Sequence, residues 1–250
     1  MSKTSGTKEW ADKNINIQKG CRNGCRYCYA MKMAFRFGRV KDYSDWIRPE
    51  IDHIRVDRKF RKRIGRVMFP STHDITSGNY GSCIIILKNL LKVGNEVLIV
   101  SKPDPLIIDI LIQKLVAYKD QIQFRFTITS LDNKTSLWQE PNAPLPKRRI
   151  MALMWAFNKG WKTSVSIEPY LDADLVPLIE KVEPYCTESI WVGIMGHGIP
   201  ESLKEIYKRP HIRANITEWF RVGNGKLRLK DRIRNMGFEI REDVLYVNDN

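Results

Sequence analysis

No stretch of the 250 residues approaches the ~20 consecutive apolar residues of a membrane-spanning helix; Cys83–Leu87 is an apolar run of only five residues. The opening Met1–Lys8 is polar and has no signal-peptide core, so the expectation is a cytoplasmic chain with no membrane partner. Cysteine is scarce, and three of the five residues crowd into positions 21–28, which excludes a disulfide framework. The outliers Cys83 and Cys186 read as buried core thiols. No internal repeat or low-complexity tract is present. Acidic residues are the minority, 28 against 42 Lys and Arg, leaving a net charge of +14. An excess of that size favours an anionic partner. From Lys32 to Arg66 there are twelve basic and five acidic residues, and Arg55–Arg63 is the densest part. That segment is either a solvated face or a phosphate-contacting one.

What is present is an alternation of strand and helix. Strands are predicted at 15–18, 66–69, 96–100, 123–128, 162–167 and 189–194. Helices are predicted from about 30, at 83–92, 106–118, 147–158 and 174–182, with a proline-containing loop over 132–146. Six β–α repeats imply an α/β fold with a parallel sheet, either a partial barrel or a doubly wound open sheet. The pattern breaks near Ile199. This gives a polar N-terminal segment (1–14), a repeat domain (15–198) and a basic, helical C-terminal extension (199–250). Polar residues gather just past the strand ends, where parallel α/β proteins hold ligands.

The run Cys21-Arg-Asn-Gly-Cys25-Arg-Tyr-Cys28 supplies three thiolates at C-x3-C-x2-C spacing. A closed zinc site or electron-transfer [4Fe–4S] cluster takes four protein ligands. Three cysteines leave one position for an outside ligand. Gly20 and Gly24 let the backbone curl, and Arg22 and Arg26 offset negative charge. A zinc site would need His53 or His73 as its fourth ligand.

With Tyr27 preceding the third cysteine, this motif resembles that of the radical S-adenosylmethionine (SAM) enzymes. The resemblance implies a partial (β/α)6 TIM-type barrel with a C-terminal helical extension, with Cys21, Cys25 and Cys28 as ligands of a [4Fe–4S] cluster. It further implies SAM on the open iron, cleaved reductively to a 5′-deoxyadenosyl radical, and an electron donor such as flavodoxin or ferredoxin. Tyr27 would pack near the adenine. The strand-end candidates for the other SAM contacts are Thr72, Lys102, Ser130 and Glu168, each of which also reads as an ordinary loop or cap residue.

A narrower resemblance is to the spore photoproduct lyase branch, through Cys25-Arg-Tyr27-Cys28-Tyr29, the segment Ser71-Thr72-His73-Asp74-Ile75, and Lys102. Ser71 stands where that family carries its hydrogen-donating cysteine. A serine O–H bond is too strong for that role, which counts against dimer repair. Tyr27 and Tyr29 could relay a hydrogen atom, and His73 with Asp74 forms a candidate acid–base pair. His197, between Gly196 and Gly198, falls at the sixth strand end. The segment Thr7–Asn14, with Glu9-Trp10 and Asp12, also resembles the opening of phage-borne and bacterial radical SAM proteins. The expected function is radical SAM chemistry on a nucleic acid or nucleotide-like substrate. The alternatives are modification of a peptide or small molecule, and a non-catalytic iron–sulfur regulator that binds nucleic acid.

Overall fold

The computed structural model describes residues 5–196 and 198–248. Seven strands form one all-parallel sheet: β1 (Lys13–Asn14), β2 (Val67–Phe69), β3 (Val97–Ser101), β4 (Ile122–Thr127), β5 (Lys162–Ile167), β6 (Ile190–Val192) and β7 (Leu227–Leu229). Their spatial order equals their chain order. A doubly wound sheet reverses order at its switch point, so this sheet is of the barrel type. Among the described residues β1 and β7 do not pair, and the result is an open, partial barrel.

The strands are buried on both faces, as parallel strands are, but the two faces differ. One side carries Val67, Phe69, Ile99, Phe124, Val165 and their neighbours, which join the helices in the main core. The long helices are α1 (Tyr29–Arg36), α2 (Tyr80–Leu91), α3 (Pro105–Leu115), α4 (Asn133–Gln139), α5 (Pro146–Asn158), α6 (Val176–Val182) and α7 (Arg209–Val222). In α2 the spacing of Cys83, Ile86, Leu87, Leu90 and Leu91 puts all five on the buried side. Each of the four Ile and Leu side chains contributes about 1.5–3 kcal/mol if fully withdrawn from water. Cys83 and Cys186 are both buried, free thiols.

The opposite, concave face holds a separate cluster of Trp10, Ala11, Met68, Leu98 and Val100, with Trp191 against it. Arg125 is buried there, 4.8 Å from the Trp10 ring and 5.4 Å from that of Trp191, and its Nε donates to Ser164 Oγ at 3.0 Å. Desolvation lowers its pKa to about 9.

Four elements differ from the sequence expectation. The first sheet strand is Lys13–Asn14, while Gln18–Lys19 pairs antiparallel with Glu50–Ile51. The N-terminal segment is not a polar appendage from Gly6 onward: it fills the concave face, where Glu9 pairs with Lys230 and Arg234. The C-terminal extension is not wholly helical. It contributes β7 to the main sheet and a hairpin of Phe238–Arg241 with Val244–Val247. The loop at 132–146 contains α4, capped by Asp132 accepting from Thr135 N at 2.7 Å. No helix of the described residues is long and apolar enough to cross a membrane.

Candidate active site

A cavity of about 500 Å³ opens at the C-terminal ends of the strands. Cys21, Cys25 and Cys28 all line it, as do Tyr27, Tyr29, Ser71, Thr72, His73, Asp74, Lys102 and Glu168. Ser130 does not: its hydroxyl donates to Asp172 Oδ1 and accepts from Asp132 N, which keeps it in the turn before α4. His197 lies outside the described residues.

The cysteine loop is held from both sides. Gly20 (φ +80) and Gly24 (φ +58) sit in the left-handed region, and a Cβ at either would meet Trp46 O at 2.5 Å or Tyr43 Oη at 2.4 Å. Cys21 N donates to Trp46 O at 2.9 Å and Arg26 N to Gln139 O at 2.8 Å. Arg26 also lies 3.9 Å over the Trp138 ring, so α4 clamps the loop from outside. Cys28 Sγ caps α1 by accepting from Met31 N. Burial, then Asp74, pushes the Cys21 thiol up to about 12; burial likewise raises Cys25 and Cys28.

Beneath the loop is a buried ionic hub that sequence reading did not find. Glu140 and Arg149 are fully buried and paired, and Glu140 also accepts from Tyr27 Oη, from Thr129 Oγ1 at 3.1 Å and from Ser136 Oγ at 3.3 Å. Burial opposes the Glu140 charge, but Arg149 and Lys102 outweigh it and hold the carboxyl below its ordinary value. Lys102 Nζ lies 4.0 Å from Glu140 and 3.8 Å from Asp74. Burial likewise disfavours the Lys102 charge, and Cys25, Asp74 and Glu140 outweigh it and raise its pKa.

Asp74 and His73 are braced. Asp74 Oδ1 accepts from Ser101 Oγ (2.7 Å) and Lys102 N (2.6 Å), and Oδ2 from Asn23 Nδ2 (2.8 Å). His73 Nε2 accepts from Ile17 N at 3.3 Å, which leaves Nδ1–H to donate to Asp74 O at 3.1 Å. Burial pulls its pKa to about 4, so the ring is neutral and both nitrogens are engaged. The pair links β1 to the strand ends and is not arranged as a free acid and base. Ser71 and Thr72 donate their backbone N–H to Asn16 Oδ1 at 2.7 and 2.9 Å, and Tyr29 Oη donates to Ser71 O at 2.6 Å.

The far wall comes from the two chain ends. Gly6, Thr7 and Trp10 line it beside Lys230, Asp231 and Arg232, which follow Leu229 at the end of β7. Lys230 Nζ donates to Gly6 O at 2.7 Å and lies 3.8 Å from Glu168. Burial lifts the Glu168 carboxyl to about 7, against the pull of Lys230. Gly193 permits this contact, because a Cβ there would sit 2.8 Å from both Glu168 Cγ and Lys230 Cγ. The alternation Lys226-Leu-Arg-Leu-Lys230 was the available signal for this strand and its site residues.

Could these residues hold a metal group? Among the described residues no three Cys, His, Asp or Glu side chains are grouped to hold a single ion. His53 does not line the cavity and both His73 nitrogens are in use, so neither of these two histidines offers a zinc site its fourth ligand. A cubic cluster asks for less convergence, since each thiolate takes its own iron. Three cysteines on one cavity wall, with room beyond them, fit such a group with one position open.

No family model matches the chain. An uncharacterised protein, ORF301 of Acidianus two-tailed virus, is 30% identical over 175 residues, covering 64% of this chain and 55% of that protein. The chain thus matches about half the length of that relative. Among solved structures, Streptococcus suis SuiB bound to S-adenosylmethionine aligns at a TM-score of 0.49 and 13% identity, over 66% of this chain and 38% of that one. SuiB bound to its precursor peptide SuiA aligns at 0.48 and 13% identity, over 66% and 37%.

Proposed function

We propose that the chain is a radical SAM enzyme acting on a nucleic acid or a nucleotide-like anion. The observation that carries the first part is the set of three cysteines lining one strand-end cavity, with neither His53 nor His73 available beside them. Cys21, Cys25 and Cys28 would hold a [4Fe–4S] cluster. The chemistry it supplies when bound is one-electron reduction of SAM to methionine and a 5′-deoxyadenosyl radical.

The chain's own residues then have distinct tasks. Lys102 is cationic and faces the cavity, so it neutralises the carboxylate of SAM. Tyr27, fixed by Glu140, presents its ring to the adenine. Ser71 and Thr72 present the wall that Asn16 holds in place. Glu168, with its raised pKa, can accept or donate a hydrogen bond to the ribose or amino group. Tyr29 borders the same space and is the candidate for hydrogen-atom relay. His73 and Asp74 act as braces. The buried hub and the two chain ends exclude water from the cavity floor and far wall.

The substrate part rests on the net charge of +14 and its concentration before Arg66. The reductant would be a small electron carrier of the flavodoxin or ferredoxin kind. Anaerobic reconstitution followed by incubation with SAM and dithionite tests the reading. 5′-Deoxyadenosine is the expected product, and its absence from a preparation with an intact cluster would defeat both enzyme proposals, the nucleic-acid one and the peptide or small-molecule one. A non-catalytic regulator would then be left.

A further inference from the structure

The basic segment 55–63 does not line the cavity described above. Its Arg55, Arg58, Phe60 and Arg63 line a second, smaller groove of about 250 Å³, together with Asn14, Ile15, Asn16 and Ile86. We propose that this groove seats the phosphodiester backbone of a single nucleic-acid strand and leads it toward the cavity. The proposal deepens the reading above, because it says where the substrate of that site is held.

Four observations carry it. First, the segment is pinned although it has no regular secondary structure beyond Val56. The buried Asn95 accepts from Arg63 N at 2.8 Å and donates to Arg61 O at 3.2 Å, and Phe60 packs on the main core. Pinning of this kind lowers the entropy lost when a ligand orders the side chains. Second, Arg58 and Arg63 form no ion pair among the described residues. Arg55 is balanced by Asp52 at 2.9 Å. Two guanidinium groups in one cleft without carboxylates are suited to phosphate oxygens, which they bind in bidentate fashion.

Third, the groove borders β1, the edge strand of the sheet. Arg63 is tied to Asn95, just before β3 begins, whereas Asn16 lies past the C-terminal end of β1. Asn16 is a shared wall: it lines the groove, and its amide holds Ser71 and Thr72, which line the cavity. A cleft running toward the site suits a polymer better than a lone anion. Fourth, Phe60 supplies an aromatic surface beside the arginines, with Arg58 at 5.9 Å from its ring. Cationic groove plus aromatic is the combination that binds single strands without sequence preference.

The test is fluorescence anisotropy of the full-length, cluster-loaded protein with a labelled single-stranded 12-mer, repeated with a trinucleotide and with inorganic phosphate as competitor. R58Q/R63Q is compared with K114Q/K181Q, which removes the same charge from exposed helix positions elsewhere; R58Q alone is the second variant, and circular dichroism reports folding. The expected result is a loss of about tenfold in affinity for the groove variant and a log–log salt slope smaller by about 1.4, the value for two phosphate contacts on a single strand. The control should keep most of the affinity. Equal losses in both variants would show diffuse charge steering and overturn the proposal. So would competition by inorganic phosphate with no dependence on strand length. 5′-Deoxyadenosine formation, measured without nucleic acid in the same preparation, separates failure of the groove from failure of the cofactor reading.

Discussion

Glu140→Ala removes the carboxylate that pairs with the buried Arg149. Breaking such a pair from one side leaves a buried charge uncompensated, at a cost of about 3–5 kcal/mol. Tyr27 Oη and the Thr129 and Ser136 hydroxyls lose their acceptor at the same time. At roughly 2–4 °C per kcal/mol for a chain of this size, thermal unfolding followed by circular dichroism should show a fall in Tm of about 6–20 °C. Adding Arg149→Met should recover a large part of that loss, because the orphaned charge goes with it. Acid sensitivity supplies a second readout. The Glu140 carboxyl is held below its ordinary value, so its contribution is complete above about 4.3, the unfolded value, and is lost as pH falls through the lower folded one. Glu140→Gln should remove that part of the acid transition. A Tm within about 2 °C of wild type for Glu140→Ala, or purely additive effects with Arg149→Met, would refute the assignment of this hub as the support of the cysteine loop.

Replacing Cys21, Cys25 or Cys28 singly by Ala should abolish iron binding and visible absorbance after reconstitution, whereas Cys83→Ala should keep both. His73 is held neutral with a pKa of about 4 against about 6.5 unfolded. Its contribution is therefore complete well above about 6.5 and declines down to about 4, with a loss of about 1.6 kcal/mol between pH 6.5 and 5. Denaturant unfolding at those two values should show that loss in wild type and a flatter profile in His73→Gln. Gly193→Ala forces Glu168 and Lys230 apart, at about 1–3 kcal/mol; SAM cleavage should fall more than the modest drop in Tm accounts for.

Strands β2, β3 and β6 are legible in sequence as short apolar runs, and β4 and β5 as alternations of polar residues with Phe, Val or Ile. Lys13–Asn14 carries no such signal: its pairing is imposed by Met68, which accepts from Ile15 N. In β7 the charge of Lys226, Arg228 and Lys230 hides an alternation whose leucines are buried. The short helix Asn133–Gln139 is obscured by the nearby prolines, although Asp132 is a sound cap. The cysteines could be read from their spacing alone, since they fall within eight consecutive positions. Glu140, Arg149 and Lys230 could not, because their partners lie 9 to more than 200 positions away and only the fold brings them together. His73 and Asp74 are legible as residues just past a strand end, yet the hydrogen bonds that Asn23 and Ser101 make to Asp74 lie outside any local pattern.

The most direct test of the central claim is anaerobic reconstitution with iron and sulfide, followed by electron paramagnetic resonance of the reduced protein with and without SAM. The account expects about four irons per chain, a reduced-cluster signal that SAM perturbs, and 5′-deoxyadenosine after turnover with dithionite. A stable, colourless protein that binds one zinc and no iron would contradict it.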